Sequence, residues 1–152
     1  MRAALVHSAD WLATCFRIGY LPLAPGTWGS ASAVIAWRLL PEMELFRLSL
    51  IVIVIFLVGV NASSIVSNKE RDSDPSKVVI DEWVGMWIAL LMIPNEWVWL
   101  GIAFLLFRVF DIIKVYPANR FERLPGGWGI MMDDVVAGLY AGVVTQAAAL
   151  LL

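Results

Sequence analysis

"VVIDEWVGMWIALLMIPNEWVWLGIAFLLFRVFDIIKVYP" occupies residues 78–117, and its reading decides the fold. The stretch is apolar except near its two ends and at one break. The break is Pro94, Asn95 and Glu96. Proline removes a helix hydrogen bond and asparagine favours a turn. The pattern therefore predicts a helical hairpin, with helices near 78–93 and 97–115. Glu82 lies 12 residues before Pro94 and Asp111 lies 14 residues after Trp97. At the rise of an α-helix these are roughly 18 Å and 21 Å, so the two acids sit nearly level across the hairpin.

Working outward, the same character recurs. "LSLIVIVIFLVGVNASSIVSN", Leu48 to Asn68, is uncharged throughout, and so are the 18 residues from Val135 to Leu152. A helix needs about 20 residues to cross the hydrocarbon core. A shorter apolar helix, Thr27 to Leu40, stops at Pro41. Met1–Leu23 suits a further helix lying at the interface. Asp10 and Arg17 interrupt its apolar character, so it does not read as a signal peptide. Hydrophobic residues make up 61% of the 152 and charged residues 16%. A soluble domain has roughly 45–50% and about 25%. The expectation is an all-α, polytopic membrane helix bundle of about five helices, forming one domain over 1–152.

The composition also excludes function classes. A formal net charge of −2 gives no reason to expect a nucleic-acid partner. One histidine, His7, cannot serve a two-histidine phosphatase mechanism or a histidine-rich zinc site. The lone Cys15 is followed six positions later by Leu21, so the thiolate loop of cysteine phosphatases is missing. "DSD" at 72–74 follows "NKER" and lacks the apolar strand that paired-aspartate phosphatases need. Oligomeric state is not legible.

Following the chain through the bilayer brings the charged stretches to one side. That face carries Lys69, Arg71, Lys77, Lys114, Arg120 and Arg123, against Arg47 and Arg38 on the other. The Lys/Arg excess predicts a cytoplasmic location for it. Three acidic sites gather there: Asp81–Glu82, Asp111 and Asp133–Asp134. Intramembrane carboxylates are costly and by default suggest function. Adjacent helical residues point about 100° apart, so one of each pair faces the bundle. Glu82 continues through Gly85 and Ala89, and Asp134 through Gly138, Ala141 and Gly142. Small residues permit close helix contact, so Glu82 and Asp134 are expected to point inward. Converging oxygen ligands suit Mg²⁺, with Glu82, Asp111, Asp133 and Asp134 as the metal candidates. Helix N-terminal capping by the acids is the plainer alternative.

"FRVFDIIKVYP" spaces Arg108, Asp111 and Lys114 three apart on one helix face. They form either a self-satisfied ion-pair ladder or, beside the other acids, a site where Arg108 and Lys114 hold phosphate. "PLAPGTWGS", residues 22–30, opens a helix. Its Thr27 and Ser30 hydroxyls suit either ordinary capping or a phosphate at a helix N-terminus. Asn61 is expected to make an interhelical hydrogen bond. The residues by themselves leave room for a small cation transporter or a structural membrane subunit with capped helices.

Four blocks in order, "PLAPGTWGS" (22–30), "DPSKVVIDEWVG" (74–85), "FRVFDIIKVYP" (107–117) and "GGWGIMMDDVVAG" (126–138), resemble the phosphatidylglycerophosphatase A family over most of the chain from Leu12 onward. The resemblance implies a bacterial inner-membrane lipid phosphatase with its active site on the cytoplasmic face. It implies Mg²⁺-dependent hydrolysis of phosphatidylglycerophosphate to phosphatidylglycerol and phosphate. It carries catalytic roles onto Asp81, Glu82, Arg108, Asp111, Lys114, Asp133 and Asp134. One departure precedes the first block: the family tends to a glycine-rich "GFGSG"-like turn where this chain has "CFRIGY" (15–20).

Overall fold

The computed structural model describes residues 2–151 as helices joined by short turns, with no strand among the described residues. The helices are α1 (Arg2–Ala13), α2 (Pro25–Leu39), α3 (Leu45–Glu70), α4 (Ile80–Leu90), α5 (Trp97–Ile113), α6 (Ala118–Phe121) and α7 (Gly127–Leu151), with one 3₁₀ turn at Ile18–Tyr20. The all-α expectation holds, and the helices outnumber the five expected. The N-terminal segment forms α1, which packs along α3, and a short α6 precedes α7.

Helix α7 is the axis of the bundle, packing against α4, α5, α3 and α6, while α2 covers α4. The α4–α7 crossing is built from small residues. A Cβ on Gly138 would meet the Gly85 backbone, and one on Gly142 would lie 3.2 Å from the Ala89 Cα. Phe107, Met86, Leu90, Leu100 and Met131 fill the space around it and are fully buried. Trp87 packs edge-on against Trp37, their ring centroids 5.6 Å apart, and donates its indole N–H to the Ala33 carbonyl at 3.0 Å.

The outer surface is apolar. On α5, Val98, Leu105 and Ile112 are exposed at seven-residue spacing, opposite buried Leu100, Ala103 and Phe107. Helix α3 exposes Leu50, Ile53, Val54 and Leu57. Exposed apolar surface of this extent marks contact with something other than water. Two helices, α3 with 26 residues and α7 with 25, are long and apolar enough to cross a membrane.

Helix bounds shift by a few residues from the sequence reading, and three of the shifts bear on the site. Helix α4 covers only Ile80–Leu90, about 16 Å, rather than 78–93. The Val79 N–H is given to the Ala13 carbonyl at 2.9 Å, which ties this strand of chain to the end of α1 and delays the helix. At the other end Pro94 disfavours helical backbone in the residue before it. Helix α7 begins at Gly127, where the N–H donates to the Ser64 hydroxyl of α3 at 2.7 Å. Asp133 and Asp134 therefore stand in its second turn as buried wall residues, and they do not cap it. Asn61 is exposed, and its amide donates to the Leu57 carbonyl of its own helix at 2.8 Å, so the expected interhelical bond is absent.

The departure at 15–20 has a structural counterpart. Cys15, Phe16 and Arg17 have φ of 45°, 57° and 75°. Left-handed backbone costs non-glycine residues roughly 1–2 kcal/mol each. The turn is held by Phe16 N–H to the Trp11 carbonyl at 2.8 Å and Gly19 N–H to the Thr14 carbonyl at 3.0 Å. Nearby, Lys77 bridges Asp10 at 2.5 Å and Glu70 at 2.7 Å, joining the loop before α4 to α1 and α3.

Candidate active site

A cavity of about 270 Å³ opens where α2 and α4 begin, α5 ends and the first turns of α7 pass. Asp81 and Glu82 come from α4, Arg108, Asp111 and Lys114 from the end of α5, and Asp133 and Asp134 from α7. Pro25 and Gly26 at the start of α2 close one side, and Asp74 and Ser76 from the loop before α4 close another. Six carboxyl groups thus line the cavity against two cationic side chains.

The acids divide into two kinds. Asp81, Glu82 and Asp134 each place a carboxylate oxygen so that all lie within 4.8 Å of one another. Asp81 and Asp134 are buried, and the Asp81 Oδ1 and Glu82 Oε2 atoms have no hydrogen-bond partner. Asp111 and Asp133 are committed to cations instead. Asp111 Oδ2 is 2.7 Å from Arg108 Nη1, and Asp133 Oδ2 is 3.0 Å from Lys114 Nζ. The other Asp133 oxygen, Oδ1, accepts the Asp134 N–H at 3.1 Å.

A metal ion suits the first group. Buried carboxylate oxygens without partners are strongly unfavourable unless protonated or bound to a cation. A donor set of oxygen alone favours a hard divalent ion over zinc or copper.

Arg108 is the centre of the basic side. Its Nη1 reaches Asp111, lies 3.8 Å from Glu82 Oε1 and donates to the Ser30 hydroxyl at 3.3 Å. The Ser30 hydroxyl passes its own hydrogen to the Gly26 carbonyl at 2.8 Å. Ser30 thus stands behind Arg108 as a positioner, and Thr27 lies outside the cavity lining. Gly26 admits the acids closely, since a Cβ there would collide with the Glu82 carboxylate and lie 3.1 Å from Arg108 Nη1. Lys114 is held by Asp133 and by Glu122, and its own φ of 51° ends α5 and turns the chain toward α6.

All seven acidic and basic residues picked out in the sequence meet in this cavity. The expectation that one member of each pair faces inward is corrected: Asp81 and Glu82 both face the cavity, and so do Asp133 and Asp134. A helix wheel cannot show this for the first pair, because Asp81 and Glu82 stand in the first turn, where α2 and α7 flank α4 from two sides. Asp74 and Glu122 were missed. They lie in or beside polar loops, where no periodicity indicates a direction. Asp74 is exposed at its edge, yet its carboxyl is pushed above the ordinary range, first by desolvation from the surrounding protein and then by neighbouring acids against the pull of Lys114.

Comparison with known proteins agrees with this geometry. The family model for phosphatidylglycerophosphatase A matches residues 11–149. A Bacteroides thetaiotaomicron protein that carries the provisional name phosphatidylinositol-3-phosphatase is 41% identical over 90% of this chain and 91% of its own. Phosphatidylglycerophosphatase A of Escherichia coli is 37% identical over 91% of this chain and 83% of its own. The protein of that name from Haemophilus influenzae is 38% identical over 96% and 91%. No solved structure matches. With the match spanning nearly the whole chain and every block that builds the cavity, the chain belongs to the phosphatidylglycerophosphatase A family of phosphatase enzymes.

Proposed function

We propose that this chain hydrolyses phosphatidylglycerophosphate to phosphatidylglycerol and phosphate, with Mg²⁺, at the cytoplasmic face of the bacterial inner membrane. The observation that carries the reading is the convergence of Asp81, Glu82 and Asp134 oxygens within 4.8 Å, beside Arg108 in the same cavity. Asp81, Glu82 and Asp134 would hold the ion, with Asp111 and Asp133 bordering it. When bound, Mg²⁺ supplies charge stabilisation to the phosphoryl oxygens and favours activation of the attacking water.

The chain's own residues do the remaining work. Phosphoryl transfer is catalysed mainly by positioning and electrostatics. Arg108, oriented by Ser30 and Asp111, presents its guanidinium to the phosphate monoester. Lys114 adds a second positive charge from the same helix end. Water attacks phosphorus, the bond from phosphorus to the glycerol oxygen breaks, and that oxygen takes a proton as it leaves. With no cation bound, the carboxylates would repel the phosphate monoester.

The multi-pass, cytoplasmic-face topology rests on the charged helix ends. Lys69, Arg71, Arg120 and Arg123 belong to the charged helix ends and loops, and an excess of Lys and Arg is characteristic of cytoplasmic loops in membrane proteins. A site at the helix ends lets the substrate keep its acyl chains in the bilayer. Family membership decides for an enzyme over the transporter and structural-subunit readings. The test is phosphate release from phosphatidylglycerophosphate by purified protein with chelator, with Mg²⁺ restored, and with Asp134→Asn. Loss with chelator, recovery with Mg²⁺ and a dead Asp134→Asn are expected. Near-full turnover of Asp134→Asn at low Mg²⁺ would overturn the metal assignment.

A further inference from the structure

A second cavity, of about 440 Å³, adjoins the acid site and shares two of its walls, Asp74 and Asp133. Its remaining polar walls are Ser73, Asn119, Glu122 and Arg123, from the loop before α4 and from α6 and its C-terminal turn. Its charge pattern differs from that of the acid site. Glu122 and Asp133 are both taken up by Lys114. Arg123 has no ion-pair partner among the described residues, in contrast to Arg108 and Lys114. The cavity therefore offers an uncommitted guanidinium together with a hydroxyl, an amide and a free carboxylate.

Exposed apolar side chains neighbour the annex residues in the chain. Leu124 and Trp128 are 40% and 45% exposed, and the Leu124 carbonyl packs against Gly129, which lines the cavity. Tryptophan at such a position suits the boundary between lipid and water. Beside the carboxylates and Arg108 of the acid site, the annex thus sets neutral polar groups and a free guanidinium, with exposed apolar side chains close by in the chain.

That combination matches one class of lipid. We infer that this annex binds the polyol bridge and the phosphodiester of a diacyl lipid whose polyol carries the phosphate monoester, with Arg123 on the diester and Asn119 and Ser73 on the polyol. The inference rests on the phosphatase reading and adds headgroup selectivity to it. A guanidinium pairs well with a phosphodiester, and neutral donors and a carboxylate suit hydroxyl groups. Phosphatidic acid carries a monoester but neither polyol nor diester, so it gains nothing from the annex. A site built to bond polar groups also disfavours a ligand that leaves them unpaired.

The experiment measures kcat/KM on phosphatidylglycerophosphate and on phosphatidic acid with the same acyl chains, in the same detergent micelles. It compares wild type, Arg123→Gln, Arg123→Lys and Asn119→Ala. Arg123 and Asn119 are exposed, so the variants should fold, and thermal unfolding verifies it. Wild type should prefer the polyol lipid. Arg123→Gln should lower its kcat/KM about tenfold to a hundredfold, mainly through KM, the loss expected for one charged hydrogen-bonding contact. Hydrolysis of phosphatidic acid should be unchanged, and Arg123→Lys should recover part of the loss. An equal fall on both lipids, no fall on either, or a wild type without preference would overturn the annex while leaving the phosphatase reading standing. A wild type that releases no phosphate from the polyol lipid would overturn both.

Discussion

Gly138→Ala tests whether the α4–α7 crossing sets the geometry of the acid site. The added Cβ would lie 2.9 Å from the Gly85 carbonyl carbon and 3.1 Å from its Cα, with the carbonyl oxygen closer still. All three are backbone atoms, so no side chain can swing away. Carbon atoms pack best at about 3.5–4.0 Å, so the helices must part by about 0.5–1 Å. Gly138 is one turn along α7 from Asp134, and Gly85 is three residues along α4 from Glu82. The separation therefore falls on the carboxylates that meet within 4.8 Å. Overpacking costs about 1–3 kcal/mol, and replacing a helical glycine by alanine returns about 1 kcal/mol. The variant should fold with a stability loss of at most about 2 kcal/mol. Misplacement of about 1 Å can lower turnover on the order of a hundredfold. Lipid phosphatase rate against Mg²⁺ concentration, with thermal unfolding alongside, reads both effects. Gly101→Ala is the control: nothing lies within 4 Å of its Cβ, so helix stability should rise slightly and activity should not change. Wild-type turnover and Mg²⁺ dependence in Gly138→Ala would refute the idea that this crossing sets the site.

Three further outcomes follow from the same structure. Removing either partner of the Arg108–Asp111 pair strands a charge in a partly buried site, a loss of about 3–5 kcal/mol for fully buried pairs and less here, whereas Arg108→Leu/Asp111→Leu should fold better than either single variant and remain inactive; recovered phosphatase activity in the double variant would remove both residues from the chemistry. Burial alone would raise the Asp10 carboxyl, but its bonds to Lys77 and Tyr20 outweigh this and hold it below its ordinary 3.8, so its contribution to stability is complete above that value and fades as pH falls through the lowered one. Thermal unfolding against pH should show wild type converging on Asp10→Asn in acid, and parallel curves would contradict the pairing. With Cys15 replaced, single cysteines at Ser73 and Asn95 should label from opposite sides of the membrane, and labelling of both from one side would break the proposed topology.

The local sequence determined the class of this protein, because the free energy of apolar surface depends on residue type and run length. Leu48–Asn68 and Val135–Leu152 read as helices for an apolar setting, and the turn at Pro94 set Glu82 and Asp111 nearly level across the hairpin. Helical spacing also picked out Gly85 and Gly138 as places of close approach, and the crossing uses both. The tertiary structure decided which atoms meet. Periodicity gives a side chain's direction about its own helix axis, but not what stands opposite. That is why Asp81 joins Glu82 in the cavity and Asp133 turns to Lys114, whereas the Arg108–Asp111 pair lies three apart on one helix and was open to the spacing alone. Asp74 and Glu122 reach the site on loops with no period at all, placed by distant bonds such as Val79 N–H to the Ala13 carbonyl. The start of α7 likewise depended on a hydroxyl 63 residues away, Ser64, which accepts the Gly127 N–H and carries the paired aspartates into the wall of the bundle.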